Sequence, residues 1–211
     1  MNKLYKFDQK IREKYKIILG IDEVGRGCGA GPLIVAGVIL KPSFFNFKVK
    51  DSKQIKSIDE RKELSNTIIE NSLFYKVVEF SPEEVDNLGP KKASIEGMNR
   101  IANFFIKEFD ICLTDYEKIF IESKPQMNII KGDDTSFSIA CASIVAKSYR
   151  DEYMQQLSLK YPFFEFTKNQ GYLTKRHLEF LKKYGPIKGV HRFSYKPIID
   201  ILRKRESFTD E

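Results

Sequence analysis

Two apolar segments joined by a glycine-rich loop constrain the fold of this chain more than any other feature. Residues 17–22 and 33–40 are almost continuously apolar, which is typical of buried β-strands. The short loop between them predicts that they pair as a hairpin. The first strand ends in the adjacent carboxylates Asp22 and Glu23, and Gly25-Arg26-Gly27 follows after one residue. Carboxylates suit a divalent metal, and bare backbone beside a guanidinium suits a phosphate, so this segment indicates phosphodiester chemistry.

Capping residues and apolar spacing predict the other elements. Helices are predicted over 57–71, from Pro82 onward, and over 93–109, 138–160 and 174–184, and strands over 73–80, 118–121 and 127–130. Strands come first as an antiparallel pair and then alternate with helices. This order predicts an α/β fold with a mixed β-sheet flanked by helices. We expect a core over residues 1–161 and a small C-terminal helical extension over 162–211, within the same compact unit.

Composition narrows the class of protein. The chain has 36 Lys and Arg against 29 Asp and Glu, so its formal charge of +7 favours polyanionic partners, nucleic acid above all. A merely lysine-rich protein would share that charge. The three cysteines form no CxxC pair, which fits a reducing cytoplasm, and two histidines argue against a histidine-rich zinc site. No apolar run reaches the roughly 18 residues that a membrane span needs, so no membrane partner is expected.

Carboxylates recur where apolar strands end. Asp22 and Glu23 end the first strand, Glu122 ends the predicted strand over 118–121, and Asp133 closely follows the strand over 127–130. Mg²⁺ prefers oxygen ligands, and two such ions about 3.5–4 Å apart can assist phosphodiester hydrolysis. Any one of these acids alone could be a solvated turn residue. Together with the glycine loop, they predict a divalent-metal site.

The glycine loop has two familiar competitors, and its context excludes both. A phosphate-binding P-loop needs a Gly-Lys-Ser/Thr sequence, which does not follow here. A dinucleotide-binding loop would not have two acids before it, where they repel a pyrophosphate, and would lead into a helix rather than a strand.

Further motifs carry a resemblance to a known family. In chain order they are Gly20-Ile-Asp-Glu-Val-Gly-Arg-Gly27, Asp51-Ser-Lys53, Lys131-Gly-Asp133, Ser138 to Lys147, Gly171-Tyr172-x-Thr174, Tyr184-Gly-Pro186 and His191-Arg192-x-Ser194. The chain from residue 17 to about 198 resembles ribonuclease HII, the type 2 ribonuclease H. The resemblance implies a ribonuclease H-like sheet and a metal-dependent endonuclease that uses Mg²⁺ or Mn²⁺.

The same resemblance implies the substrate. The family hydrolyses the RNA strand of RNA–DNA hybrids and nicks duplex DNA 5′ to a single embedded ribonucleotide, leaving 3′-hydroxyl and 5′-phosphate ends. We expect a cytoplasmic monomer. The segment Gln156-Leu-Ser-Leu159 faintly resembles a sliding-clamp-binding peptide, but it lies on a predicted helix and lacks the terminal aromatic residue. A helix end is therefore the better interpretation.

The resemblance also implies roles for individual residues. Asp22, Glu23 and Asp133 would bind metal, whereas Gly25, Arg26 and Gly27 would contact the ribonucleotide backbone and its 2′-hydroxyl. Tyr172 would stack on the sugar of the next nucleotide. Candidate phosphate contacts are Lys53, Ser143, Lys147 and Arg150. For the last three, a packed or solvated helix face is an equally good interpretation.

One position departs from the family pattern. The family has a second strand-end aspartate, usually in Asp-Gly, and the residues matched to it here are Ile121-Glu122-Ser123. Asp115 and Glu117 precede the predicted strand, so Glu122 is preferred as the ligand. Its extra methylene can displace a metal, and catalysis is sensitive to such displacement. We expect an active enzyme. The alternatives are a catalytically weakened hybrid-binding protein and a related nuclease such as a resolvase.

Overall fold

The computed structural model describes residues 2–49, 55 and 57–206. Its five strands are β1 (Ile18–Val24), β2 (Leu33–Leu40), β3 (Ser72–Phe80), β4 (Ile111–Asp115) and β5 (Gln126–Ile129). Its helices are α1 (Lys3–Arg12), α2 (Ile58–Glu70), α3 (Pro82–Leu88), α4 (Pro90–Phe104), α5 (Phe137–Lys160), α6 (Phe166–Asn169), α7 (Lys175–Tyr184) and α8 (Lys196–Glu206). Short 3₁₀ helices lie at Gly132–Asp134 and Pro162–Phe164.

The strands form one mixed sheet in the order β3-β2-β1-β4-β5. The central strand β1 pairs antiparallel with β2, which confirms the predicted hairpin, and parallel with β4. Strand β5 pairs parallel with β4. The mixed α/β sheet predicted from the order of the elements is therefore confirmed, and parallel strands end together at one edge of it.

The predicted strand over 118–121 is wrong. The strand at this place in the sheet is β4, Ile111–Asp115, and it ends six residues earlier than predicted. The backbone at Ile119 is instead satisfied by a side chain, since its N–H donates to Gln126 Oε1 (3.1 Å) and its carbonyl accepts from Gln126 Nε2 (2.7 Å). The N–H of Phe120 donates to Asn99 Oδ1 at 2.8 Å. This loop thus obtains its hydrogen bonds without joining the sheet.

Contacts divide the described chain into two groups. The first comprises the residues up to Val24, those of 34–79 and Ser94–Tyr149, and it contains most of the sheet. Its core forms because alternate side chains of β2 share one face and pack on the alanine-rich start of α5. The buried residues of β2 and α5 in this core are Ile34, Ala36, Val38, Leu40, Phe137, Ala140, Cys141, Ala142, Ile144, Val145 and Ala146.

The second group comprises Gly25–Leu33, Phe80–Ala93 and the described chain from Arg150 onward. Its core is aromatic and aliphatic, with Phe164, Phe166 and Leu181 fully buried. Ala30 and Met154 also belong to this core, so residues outside 162–211 complete it. The division of the sequence at residue 162 stays a prediction.

The first helix, α1, was not predicted. Asn2 caps it by accepting from the N–H of Leu4, and its Asp8 is buried. The Asp8 carboxylate accepts hydrogen bonds from the hydroxyls of Ser136 and Ser138 and from the N–H groups of Phe137 and Ser138. A carboxylate from α1 therefore satisfies the first N–H groups of α5.

Two further expectations concern membranes and thiols. None of the helices in the described part of the chain has the combination of length and apolarity that a bilayer span requires. Cys28, Cys112 and Cys141 are free and buried. Gln156–Leu159 lies within α5, as its interpretation as a helix end predicts.

Candidate active site

The carboxylates of β1 and β4 meet at one edge of the sheet. Ile21 of β1 is in register with Thr114 of β4, so Asp22 and Asp115 are the next residues of two parallel strands. Side chains at matching positions of parallel strands point to the same face. Two aspartates consequently converge there, and Glu23 follows on β1.

A hydrogen bond connects Asp115 to the turn that carries Asp133. The N–H of Gly132 donates to Asp115 Oδ1 at 2.7 Å. A Cβ on Gly132 would lie 3.2 Å from the Cα of Asp115 and 2.7 Å from a carbon of Ile139, so a larger residue would push this turn away. Asp133 follows directly and is buried. Asp115 therefore contacts the turn of one candidate ligand and lies beside another.

The proximity of these carboxylates affects the protonation of Asp22. Burial raises the pKa of Asp22 well above its usual value, and the negative charges of Glu23 and Asp115 raise it further. Hydrogen bonds from the Ser143 hydroxyl and from the N–H of Glu23, which lies 2.7 Å from Asp22 Oδ1, oppose that rise. The site concentrates negative charge in a dry environment, and a bound cation would relieve the repulsion.

Glu122 does not occupy the position that the sequence analysis gave it. It is exposed and lies in a bend of the loop after β4, not at a strand end. Asp115 stands at the strand end instead. The prediction failed because Lys118–Ile121 has the composition of a strand, whereas Ile111-Cys-Leu-Thr-Asp115 forms it. The missed signal was an apolar run closed by an aspartate, the same pattern as in β1.

Helix α5 presents two of the predicted contacts on one face. Ser143 is buried and hydrogen-bonds the Asp22 carboxylate, so the packed alternative describes it better than a phosphate contact. Lys147 lies four residues further along the helix, hence on the same face, and is half-buried. Its position keeps it a candidate for a phosphate near the carboxylates.

The glycine loop and Tyr172 are neighbours within the second contact group. The N–H groups of Gly29 and Ala30 donate to the carbonyl of Gly171 at 2.9 and 3.1 Å. A Cβ on Gly27 would lie 3.9 Å from the Tyr172 ring. Gly27 and Tyr172 are exposed and Arg26 is half-buried. The structure thus brings these predicted substrate contacts together.

Two buried histidines form a chain of hydrogen bonds that ends at the backbone of Tyr172. His177 Nδ1 donates to the Tyr172 carbonyl at 2.9 Å, which leaves His177 Nε2 as an acceptor. His191 Nδ1 accepts from the N–H of Ile187 at 3.0 Å, so its Nε2 carries the proton and donates to His177 Nε2 at 3.1 Å. Both imidazoles are neutral in this chain of bonds. Burial lowers the pKa of both, that of His191 to about 3 with a further contribution from His177.

The prediction that Arg150 contacts phosphate is wrong. Its side chain is 1% exposed, and its guanidinium donates to the carbonyls of Pro32 (3.0 Å), Gln170 (2.8 Å) and Ala30 (2.9 Å). Because three carbonyls satisfy this cation inside the protein, it is not available to a ligand. Lys53 lies outside the described residues.

Comparison with known proteins identifies the family. The family model described as Ribonuclease HII matches residues 19–198. Ribonuclease HII of Mycoplasma capricolum subsp. capricolum is 45% identical over 202 residues, covering 94% of this chain and 96% of that protein. The chain belongs to the ribonuclease HII family. It is a type 2 ribonuclease H, an endonuclease of a family that acts on RNA–DNA hybrids and depends on divalent metal.

Solved structures show the same fold. The ribonuclease H2 from Pyrococcus horikoshii OT3 superposes with a TM-score of 0.73 at 21% identity, covering 90% of this chain and 99% of that one. Bst-RNase HIII in complex with Mn²⁺ superposes with a TM-score of 0.68 at 19% identity, covering 90% of this chain and 70% of that one. The ribonuclease H-like sheet predicted from the motifs is therefore confirmed.

The donor set fits the hard divalent ions of a ribonuclease HII. Asp22, Glu23 and Asp115 supply carboxylate oxygens, and the pKa of Asp22 is raised by burial and then by the charges of the other two. As they stand, no three His, Cys, Asp or Glu side chains of the described ranges are close enough to hold an ion. Their carboxylate oxygens are nevertheless the ligand type that Mg²⁺ and Mn²⁺ prefer.

Proposed function

We propose that this ribonuclease HII cleaves the RNA strand of RNA–DNA hybrids and also nicks duplex DNA 5′ to a single ribonucleotide, leaving 3′-hydroxyl and 5′-phosphate ends. The observation that supports it most is the convergence of strand-end carboxylates at Asp22 and Asp115, with the latter bonded to the Asp133 turn. A phosphodiesterase of this family needs such a set. The glycine loop and Tyr172, which lie together, would recognise the ribonucleotide.

The proposed metal ligands are Asp22, Glu23, Asp115 and Asp133, with Asp115 in place of Glu122. Mg²⁺ or Mn²⁺ held by these residues would polarise the phosphate and activate a water. The chain itself orients Asp22, since the Ser143 hydroxyl and the Glu23 N–H both donate to its carboxylate. Burial of Asp22 and Asp133 excludes water that would screen these charges.

The remaining residues recognise the substrate. Lys147, on the face of α5 that contacts Asp22 through Ser143, neutralises a phosphate near the cleaved bond. Gly25, Arg26 and Gly27 contact the ribonucleotide, because glycine backbone can approach a 2′-hydroxyl closely. Gly25 has φ +92°, which a side chain would disfavour. The exposed Tyr172 ring packs on the sugar of the following nucleotide, where a deoxyribose leaves an apolar face.

Two alternative functions have less support. A hybrid-binding protein with weakened catalysis depends on Glu122 in place of the family aspartate, whereas Asp115 at the end of β4 supplies an aspartate beside Asp22. Against a resolvase, membership of the ribonuclease HII family favours the hybrid nuclease. The cytoplasmic location and the monomeric state remain proposals, the first consistent with three free cysteines.

A nicking assay tests the proposal. A labelled DNA duplex with one internal ribonucleotide, the same duplex without it and an RNA–DNA hybrid are incubated with Mg²⁺ or Mn²⁺. We expect a cut on the 5′ side of the ribonucleotide, extension of the new end by a DNA polymerase, and no cut in all-DNA duplex. A cut elsewhere, or none in the presence of either metal, would refute the proposal.

Adjacent aspartates provide the matched variants. Asp133→Asn removes a proposed ligand, while Asp134→Asn changes the exposed neighbour in the same 3₁₀ helix. Asp133→Asn and Asp22→Asn should abolish nicking while substrate binding persists, and Asp134→Asn should cut normally. Strong cleavage by either of the first two variants would contradict the ligand set.

A further inference from the structure

The backbone carbonyls of the glycine loop point into the protein, where two buried arginines and a tyrosine hold them. Arg150 donates hydrogen bonds to the carbonyls of Ala30 and Pro32. Arg192, which is fully buried, donates to those of Gly31 and Arg26. These cations are satisfied by main-chain oxygens, which makes the loop a fixed part of its surroundings.

We propose that Tyr195 and Arg192 are positioning residues that fix the peptide between Arg26 and Gly27, so that the N–H of Gly27 faces the ribonucleotide. This inference rests on the proposed function, in which the glycine loop contacts that nucleotide. It assigns the orientation of the loop to side chains that lie far from it in the sequence.

The Arg26 carbonyl is held from two sides. The Tyr195 hydroxyl donates to it at 2.6 Å, and Arg192 Nη1 donates to it at 3.3 Å. Arg192 Nη1 also donates to the Tyr195 oxygen at 2.8 Å, which leaves the tyrosine proton for the Arg26 carbonyl. The two side chains therefore support each other, and both bonds fix one peptide oxygen.

Arg192 is itself anchored to the next part of the loop. Its Nε and Nη2 both donate to the Gly31 carbonyl, at 3.2 and 2.9 Å, and its backbone N–H donates to the Gly29 carbonyl at 2.9 Å. Its guanidinium carbon lies 5.4 Å from the centre of the Tyr195 ring. A rigid fork that spans two carbonyls cannot be replaced by a lysine, which donates from a single atom.

The position of the Arg26 carbonyl fixes the direction of the Gly27 N–H. The described chain contains no cis peptide bond, and a trans peptide directs its N–H opposite to its carbonyl. With the Arg26 oxygen held on the inner side, the N–H of Gly27 points outward. Gly27 is exposed, so this N–H is presented where the sugar or phosphate oxygen of a ribonucleotide can accept it.

The test is Tyr195→Phe, which removes one hydroxyl and keeps the ring. Affinity for a duplex with one ribonucleotide and for the matched all-DNA duplex is measured with Ca²⁺, and nicking with Mg²⁺. We expect selectivity for the ribonucleotide, the ratio of the two affinities, to fall about fivefold, the effect of losing about one hydrogen bond. The melting temperature should fall by only about 2–4 °C, and the affinity for all-DNA duplex should be unchanged. Unchanged selectivity would overturn the inference.

Two further variants sharpen this test. Tyr184→Phe is the control, because Tyr184 is exposed at the end of α7 and its ring packs on Phe163; a loss of selectivity equal to that of Tyr195→Phe would also overturn the inference. Arg192→Lys should lower the selectivity for the ribonucleotide more than tenfold. If this variant does not fold, the result for Tyr195→Phe decides alone. Failure of wild-type enzyme to nick at the ribonucleotide would refute the proposed function, whereas normal nicking with intact selectivity in Tyr195→Phe would refute only the positioning role.

Discussion

The carboxylate edge of the sheet and the surroundings of the glycine loop both contain buried charges, but these charges repel one another at the edge and are compensated by hydrogen bonds within the protein near the loop. At the carboxylate edge, burial and then the like charges of Glu23 and Asp115 raise the pKa of Asp22, so a bound cation would lower the free energy of this region. In the loop region, Arg150 and Arg192 are surrounded by carbonyls that satisfy them without any ligand. The carboxylate edge is therefore suited to bind a cation, whereas the buried arginines stabilise the conformation of the glycine loop.

The largest expected effect on the nicking rate distinguishes Asp115 from Glu122 as the metal ligand. Asp115→Asn removes a carboxylate beside Asp22 and should lower the nicking rate about a thousandfold, equivalent to about 4 kcal/mol of lost transition-state stabilisation. Glu122→Gln changes an exposed loop residue and should stay within about twofold of wild type. Single-turnover nicking of the single-ribonucleotide duplex measures both. The reverse order of effects would restore Glu122 as the ligand.

The next effect should separate structural from ligand-binding cations on α5. Arg150→Met leaves three buried carbonyls without their donor and should lower the free energy of unfolding by about 3 kcal/mol. Lys147→Met should change it by less than about 0.5 kcal/mol but raise KM, because it loses a phosphate contact. Urea unfolding and steady-state kinetics distinguish them. Equal stability of the two variants would show that the buried guanidinium is dispensable.

The histidine pair should make the stability of the loop region depend on pH. Since burial lowers the pKa of His191 to about 3, the unfolded chain with its ordinary pKa of about 6.5 binds the proton first as the pH falls. Stability is therefore fully present above pH 6.5 and decreases below it, by about 2 kcal/mol at pH 5 for this group alone. Urea unfolding from pH 7.5 to 5 should fall less steeply for His191→Gln. Parallel slopes in the two proteins would contradict this assignment.

The smallest effect tests how Asp22 is oriented. Ser143→Ala removes the hydroxyl that hydrogen-bonds its carboxylate and should lower activity about tenfold, since a bond to a charged group contributes about 1.5 kcal/mol. Ser148→Ala, at another buried serine of α5, is the control and should be nearly neutral. A loss of activity in both variants would indicate helix packing rather than support of Asp22.

The sequence predicted most of the elements and the family because their signals are local. The hairpin of β1 and β2, the capped helix after Ser81 and the long helix α5 follow from apolar spacing and capping residues. Helix α1 was missed although Asn2 precedes an amphipathic segment. Family motifs then placed Asp22, Glu23, Arg26 and Tyr172 in a plausible site without any knowledge of contacts.

By itself, the sequence determined the composition of the site, and the tertiary structure decided which residues take each place. Asp115 and Glu122 are both acids near apolar residues, and only the pairing of β4 with β1 shows that Asp115 lies beside Asp22. Lys147 and Arg150 are both basic residues on one helix, and only the carbonyls of a distant loop show that Arg150 is structural. The physical reason is that desolvation and hydrogen bonding depend on neighbours brought together by folding, which no local pattern encodes.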